Sequence, residues 1–314
     1  MSGQENRVYV FDNLKALLIF LVVFGHALEL AFFRNVSILY IFLYLFHMPL
    51  FVFCSGYLAS YNPKKILTKL ILVYIVFQFL YVLFAQVVLG HSGSLLQFTT
   101  PFWIMWYFLA LTVWMLHVPL LDAMTNTKRN MVLTICGSIV LGIVSGFDNS
   151  LGYFMSLARI LYFLPFFVIG FCVKKAVDAQ TLQRVTRKWY VVCITGVLSA
   201  LIFAFLFFRR QVIDVRWLWG AFSYEGLGYT GYSALVRIAL YLAAFVISLF
   251  VLSIVPRRKM FFSYIGQRTL PIFVFHGFVI LLLRRYEVVH AIPAGIVTTF
   301  FFIAISTFPF FNAV

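Results

Sequence analysis

Three ionisable residues on one apolar segment, Lys15, His26 and Glu29 in YVFDNLKALLIFLVVFGHALE, have the types and spacing to do chemistry. Lys15 and His26 are eleven positions apart. At about 1.5 Å per helical residue that is roughly 16 Å, half of a bilayer's hydrocarbon thickness. An imidazole at such depth is expensive to keep and reads as a functional group. Glu29 follows His26 by three residues, so both lie on one helical face. A carboxylate beside an imidazole raises its basicity and fixes its tautomer, the pairing that takes a proton from a hydroxyl. The same pair would also serve as a buried hydrogen bond between helices. Asp12 and Lys15 share a face at the other end of the segment, either as a structural pair or with Lys15 turned to an anionic ligand from the cytosol.

Other candidates lie further along. In FHMPLFVFCSGYLA, Pro49 removes a backbone donor and kinks the segment, and irregular backbone at membrane depth is tolerated where it lines a cavity. His47, Ser55, Gly56 and Tyr57 are the cavity residues this suggests, with a kink made for packing as the competing reading. Lys64, Lys65 and Lys69 in NPKKILTKL suit the topology rule, anionic lipid or the phosphates of a cytosolic donor. No Gly-rich phosphate loop accompanies them, which gives a kinase or ATPase no support. Arg159 precedes Pro165 within an apolar run and should meet a carboxylate, a carbonyl or an anionic ligand, or else snorkel to the interface. SYIGQRTLPIFVFHGF places Gly266, Pro271 and His276 in order. His91, His117 and His290 fall at segment edges, where solvation explains them.

The elements that must hold these residues are membrane helices. The 314-residue chain is 64% hydrophobic and 11% charged, against about 25% charged in soluble domains. Apolar stretches of spanning length occur at 14–33, 38–60, 66–89, 103–121, 131–146, 154–173, 189–208, 233–254, 264–283 and 292–311, which predicts an all-α polytopic protein of about ten helices. With no linker or low-complexity tract, residues 1–314 read as a single membrane domain. The first run has no small-residue cleavage site after it and so reads as an uncleaved span.

The net charge of +15 could suggest nucleic acid, but the basic residues cluster between apolar runs, not along a polar face. One set of loops carries Arg7 and Lys15; Lys64, Lys65 and Lys69; Lys128 and Arg129; Lys174, Lys175, Arg184, Arg187 and Lys188; and Arg257, Arg258, Lys259 and Arg268. The other set carries only Arg34, Arg209, Arg210, Arg216, Arg284 and Arg285. Basic residues favour the cytoplasmic side, so both termini are expected there, in a cell (plasma or inner) membrane. The outer connection 209–232 is rich in aromatics and Gly. It reads as an interfacial anchor or as a carbohydrate platform in which Asp214, Arg216 and Glu225 bind hydroxyls. Cys54, Cys136, Cys172 and Cys193 all fall in apolar runs without metal-like pairing, which predicts buried thiols, no disulfide framework and no metal.

Taken together these segments resemble the acyltransferase type 3 family of bacterial membrane O-acyltransferases. The resemblance rests on Lys15 and His26 in the first helix, with Lys where many members have Arg, and on FHMPLFVFCSGY (Phe46 to Tyr57). It continues in order through WYFLALTVW (Trp106 to Trp114), LPFFVIGF (Leu164 to Phe171) and IGQRTLPIFVFH (Ile265 to His276). It implies transfer of an acyl group, usually acetyl, from cytosolic acyl-CoA to a hydroxyl of a glycan or lipid-linked sugar. By position it makes His26 catalytic with Lys15 its motif partner, sets Lys64, Lys65 and Lys69 on the CoA phosphates, and adds Trp106 to the cavity. Arg159 joins the donor-binding set, and Asp12, His47, Ser55, Tyr57 and His276 the cavity. Some members append an extracytoplasmic hydrolase-like domain; its expected absence here leaves room for a separate partner protein that completes transfer.

In the mechanism expected, Glu29 orients His26, which deprotonates the acceptor hydroxyl while Tyr57 or Arg159 steadies the oxyanion. A covalent acyl-imidazole relay is the other route. The rival class is a glycan exporter or flippase, which would need no thioester donor. A channel has no charged ring or filter loop in its favour.

Overall fold

A computed structural model describes residues 9–31, 38–209, 213–228 and 231–286, and the ordered elements among them are helices with no strand. They are α1 (Tyr9–Ala31), α2 (Ile38–Tyr57), α3 (Pro63–Val87), α4 (Trp103–Leu116), α5 (Val118–Met124), α6 (Lys128–Phe147), α7 (Leu157–Ala176), α8 (Ala179–Thr186), α9 (Trp189–Phe208), α10 (Ser233–Ile254), α11 (Ser263–Gln267) and α12 (Thr269–Arg285). Seven are long and apolar enough to cross a membrane, and the pair α4 and α5, bent by 48°, forms an eighth candidate. The expected span 264–283 is instead broken into α11 and α12, and the expected span 292–311 lies outside the described residues.

Proline position explains the breaks. Pro119 stands in the first turn of α5 and Pro271 in that of α12, where its missing N–H is not needed and its fixed φ suits a helix start. Pro49 and Pro165 instead stay inside continuous helices. Around Pro165 donors from elsewhere converge on the loosened turn of α7. Trp114 Nε1 donates to the Ile160 carbonyl at 3.3 Å and Tyr241 Oη to the Tyr162 carbonyl at 2.7 Å.

The described chain forms two compact units: Met1–Phe51, Val177–Val212 and Ala243–Val314 in the first, and Val52–Ala176 and Ile213–Leu242 in the second. In the first, α1 packs on α11 and α12. Gly266 permits the closest approach, since a Cβ there would overlap the Asp12 carbonyl. Asn13, fully buried, fastens the basic loop after α10: its Nδ2 donates to the carbonyls of Pro256 (2.9 Å) and Arg258 (3.0 Å), and its Oδ1 accepts from Ser263 Oγ at 2.5 Å.

In the second unit the end of α2 lies against α7 with two glycines at the crossing. A Cβ on Gly56 would strike the Phe167 carbonyl, and one on Gly170 the Phe53 carbonyl. Gln78 pins the connection between α3 and α4, donating to the Gln97 carbonyl at 2.6 Å and accepting from Phe102 N–H at 2.8 Å. Of the cysteines, Cys54 and Cys172 are buried as expected, whereas Cys136 and Cys193 are exposed. They sit on α6 and α9, the least buried spans, whose outer faces carry exposed Val132, Leu133, Leu201 and Phe208. Such faces suit lipid, where a thiol is as acceptable as in a core.

Candidate active site

His26 and Glu29 lie late on α1, because that helix begins at Tyr9, well before Lys15. His26 is therefore about 26 Å of helix from Tyr9 and about 8 Å from Ala31, the limits of the described helix.

The expected pair is present, with His26 Nδ1 3.2 Å from Glu29 Oε1. A carboxylate oxygen only accepts, so Nδ1 carries the proton and the Nε2 lone pair faces the other way. Three further groups hold the carboxylate. Tyr44 Oη donates to Oε1 at 2.5 Å, Tyr40 Oη donates to the same oxygen at 2.9 Å, and Arg284 Nη2 meets Oε2 at 3.3 Å. Tyr44 Oη also lies 3.2 Å from His26 Nδ1, so one phenol touches both members of the pair. Hydrogen bonds to an ionised acceptor are about twice as strong as neutral ones. Glu29 is thereby held in one place and orientation.

Two more imidazoles border the pair. The His276 ring stacks on His26 with centroids 5.5 Å apart and planes at 23°, and His47 meets Tyr44 edge to face at 4.7 Å. Both are buried, and each spends its Nδ1–H on its own helix: His47 on the Leu43 carbonyl at 2.7 Å, His276 on the Phe273 carbonyl at 2.7 Å. Those bonds fix the orientation of each ring. The side chains of His26 and Glu29 are 15% and 20% exposed, so a ligand can reach them.

Tyr40, Tyr44 and Arg284 escape the sequence reading. Tyr40, Tyr44 and His47 follow one another at i, i+4 and i+7, a one-face stripe on α2 that was visible in ILYIFLYLFHMP. Arg284 was legible only as a loop charge, because its contact with Glu29 joins residues 255 positions apart.

The other expected residues separate into groups. Lys15 Nζ pairs with Asp12 Oδ1 at 3.4 Å, eleven residues down α1 from His26, and Gln267 Nε2 also donates to Asp12 at 3.4 Å. In the second unit, Lys64, Lys65 and Lys69 are exposed at the start of α3, where Asn62 caps the helix by accepting from Lys65 N–H. Ser55 shares a 2.6 Å hydrogen bond with Tyr107, and Tyr57 is buried. Arg159 lies 5.3 Å over the Trp106 ring and donates Nε–H to the Trp219 carbonyl at 3.2 Å. It stands at the opposite end of α7 from Lys174, whose Nζ bonds the Ala59 carbonyl at 2.5 Å just ahead of the lysine cluster. That is about 22 Å of helix, so Arg159 does not share a phosphate with Lys64, Lys65 and Lys69. In the loop between α9 and α10, Arg216 binds Asp214 at 2.6 Å and its hydrogen bond holds that carboxyl below the usual range.

Comparison with known proteins places the chain in a family. Nodulation protein NolL of Sinorhizobium fredii (strain NBRC 101917 / NGR234) is 47% identical over 64 residues, 19% of this chain and 18% of that protein. Nodulation protein NolL of Mesorhizobium japonicum (strain LMG 29417 / CECT 9101 / MAFF 303099) is 39% identical over 64 residues, 19% of this chain and 17% of that protein. The match thus spans less than a fifth of either relative's length. No solved structure matches. The profile of the family described as Acyltransferase domain matches residues 8–311, nearly the whole chain. The chain belongs to this acyltransferase family.

Proposed function

We propose that the chain is a multi-pass O-acetyltransferase of the cell membrane. In this reading it moves acetyl from cytosolic acetyl-CoA to a hydroxyl of a cell-surface glycan or its lipid-linked precursor. The observation that carries the reading is the His26 and Glu29 pair, held by two phenols and an arginine and bordered by two buried imidazoles. Residues 1–314 act as one domain of ten spans with both termini cytoplasmic, supported by the alternation of basic loops. A separate partner protein would then complete delivery where the acceptor lies beyond reach.

Glu29 accepts the Nδ1–H of His26 and leaves Nε2 as the base. Nε2 takes the acceptor's hydroxyl proton as that oxygen attacks the thioester carbonyl. The C–O bond forms, the C–S bond breaks, and the thiolate of CoA leaves and recovers the proton from the imidazolium. Glu29, held in place by Tyr40, Tyr44 and Arg284, stabilises that imidazolium while it lasts. His276, stacked on His26, and His47, packed on Tyr44, keep the base in place. Lys64, Lys65 and Lys69, exposed beside one another, receive the CoA phosphates, and Lys15 with Asp12 lines the cytosolic mouth.

Mass spectrometry of surface glycans from cells with and without the protein tests this reading. An acetyl mass present only with the protein supports it. Identical spectra, together with acetyl-CoA left unconsumed by purified protein, contradict it.

A further inference from the structure

The outer end of the second unit holds an aromatic cradle that the acyl-transfer chemistry does not use. The guanidinium of Arg159 is flanked by the rings of Trp106 and Tyr153, each 5.3 Å away, and roofed by the Trp219 carbonyl. Phe222 continues the wall, 6.1 Å from Trp219 and edge to face with Tyr153 at 5.8 Å. Arg159, Trp219 and Phe222 are half-buried, and Tyr153 is 44% exposed. Rings that merely anchor a protein in the interface point singly into lipid. These pack on one another and around a cation.

The rim beside the rings is polar and knitted together. Asn149 donates to the Glu225 carboxylate, Ser223 donates to Asn149, and Gly226 N–H donates to Ser223 Oγ at 3.1 Å. The floor is equally fixed. Arg237, buried, donates Nη1 to the Gly142 carbonyl at 2.9 Å and lies 4.5 Å over the Tyr224 ring. At the left-handed turn of Gly220 (φ 65°) a Cβ would collide with the Tyr162 ring. Flat apolar faces beside fixed acceptors and donors are what a polyhydroxylated ring needs, since it offers C–H faces above and below and hydroxyls around its edge.

We infer that this cradle binds a sugar ring of the acceptor, stacked on Trp219, Phe222 and Tyr153, with Asn149 and Glu225 accepting its hydroxyls and Arg159 donating to them. This rests on the saccharide-acceptor reading above and assigns Arg159 to the acceptor, not to CoA. Pre-ordered loop geometry keeps the entropic cost of that binding small.

The test uses membranes holding the full chain, labelled acetyl-CoA, and the unacylated glycan and lipid-linked oligosaccharide fraction from cells lacking the protein. Trp219→Ala and Glu225→Gln should each raise the half-saturating acceptor concentration about tenfold while the KM for acetyl-CoA stays put, and Trp219→Phe should restore most of the loss. Tyr153→Ala supplies the same reading should Trp219→Ala fail to accumulate. An unmoved acceptor KM in Trp219→Ala and Tyr153→Ala, or an equal rise for acetyl-CoA, overturns the site. Wild-type membranes that acylate nothing in that fraction overturn the saccharide reading itself, a result visible before any variant is compared.

Discussion

Glu29 is the residue on which the site depends, because it alone connects His26, Tyr40, Tyr44 and Arg284. Glu29→Gln keeps the shape but removes the charge that stabilises the imidazolium, and transfer should fall about a hundredfold in a single-turnover assay. Tyr44→Phe removes one charge-assisted bond of about 1.5–3 kcal/mol, so a loss of about ten- to a hundredfold is expected, with KM for acetyl-CoA unchanged. A Tyr44→Phe protein as active as wild type would show the phenol to be packing only. The sequence made the His26 and Glu29 pair legible because a three-residue spacing fixes a helical face whatever the rest of the fold does. It left Arg284 and Asn13 hidden. Their partners are hundreds of positions away, and no local spacing encodes a contact made only when α12 and the loop after α10 come to rest on α1.

Among elements, the glycines set how closely helices meet. Gly266 brings α11 against the backbone of α1 at Asp12, and Gly170 brings α7 against α2 at Phe53. Gly266→Ala and Gly170→Val should each destabilise the detergent-solubilised protein by about 1–3 kcal/mol, the usual penalty of overpacking, read as a lower thermal midpoint. Unchanged midpoints would mean that the helices slide without cost. Helix existence was readable from hydropathy, and α2, α9 and α10 follow the expected spans closely. Helix breaks were not. A proline removes one backbone donor wherever it stands, and whether the helix continues depends on donors such as Trp114 and Tyr241 that reach α7 from outside it.

For the whole molecule, the asymmetry of basic loops sets an orientation that thiol labelling can check. In a protein with its four cysteines changed to serine, Ser150→Cys should react with a membrane-impermeant reagent in intact cells. Arg129→Cys should react only after the membrane is opened. The reverse pattern would invert the topology. The sequence conveyed the membrane class because a chain 64% hydrophobic and 11% charged has little else it can be. It did not convey the division into two units, since the boundaries at Phe51 and Leu242 fall inside continuous helices with no change of composition.

The central claim is that the Nε2 of His26 is the base of acyl transfer. Acetyl transfer by His26→Ala, measured with labelled acetyl-CoA in membranes where the variant is inserted at the wild-type level, tests it most directly. A loss of about a thousandfold or more is expected; transfer within a few-fold of wild type would contradict the account.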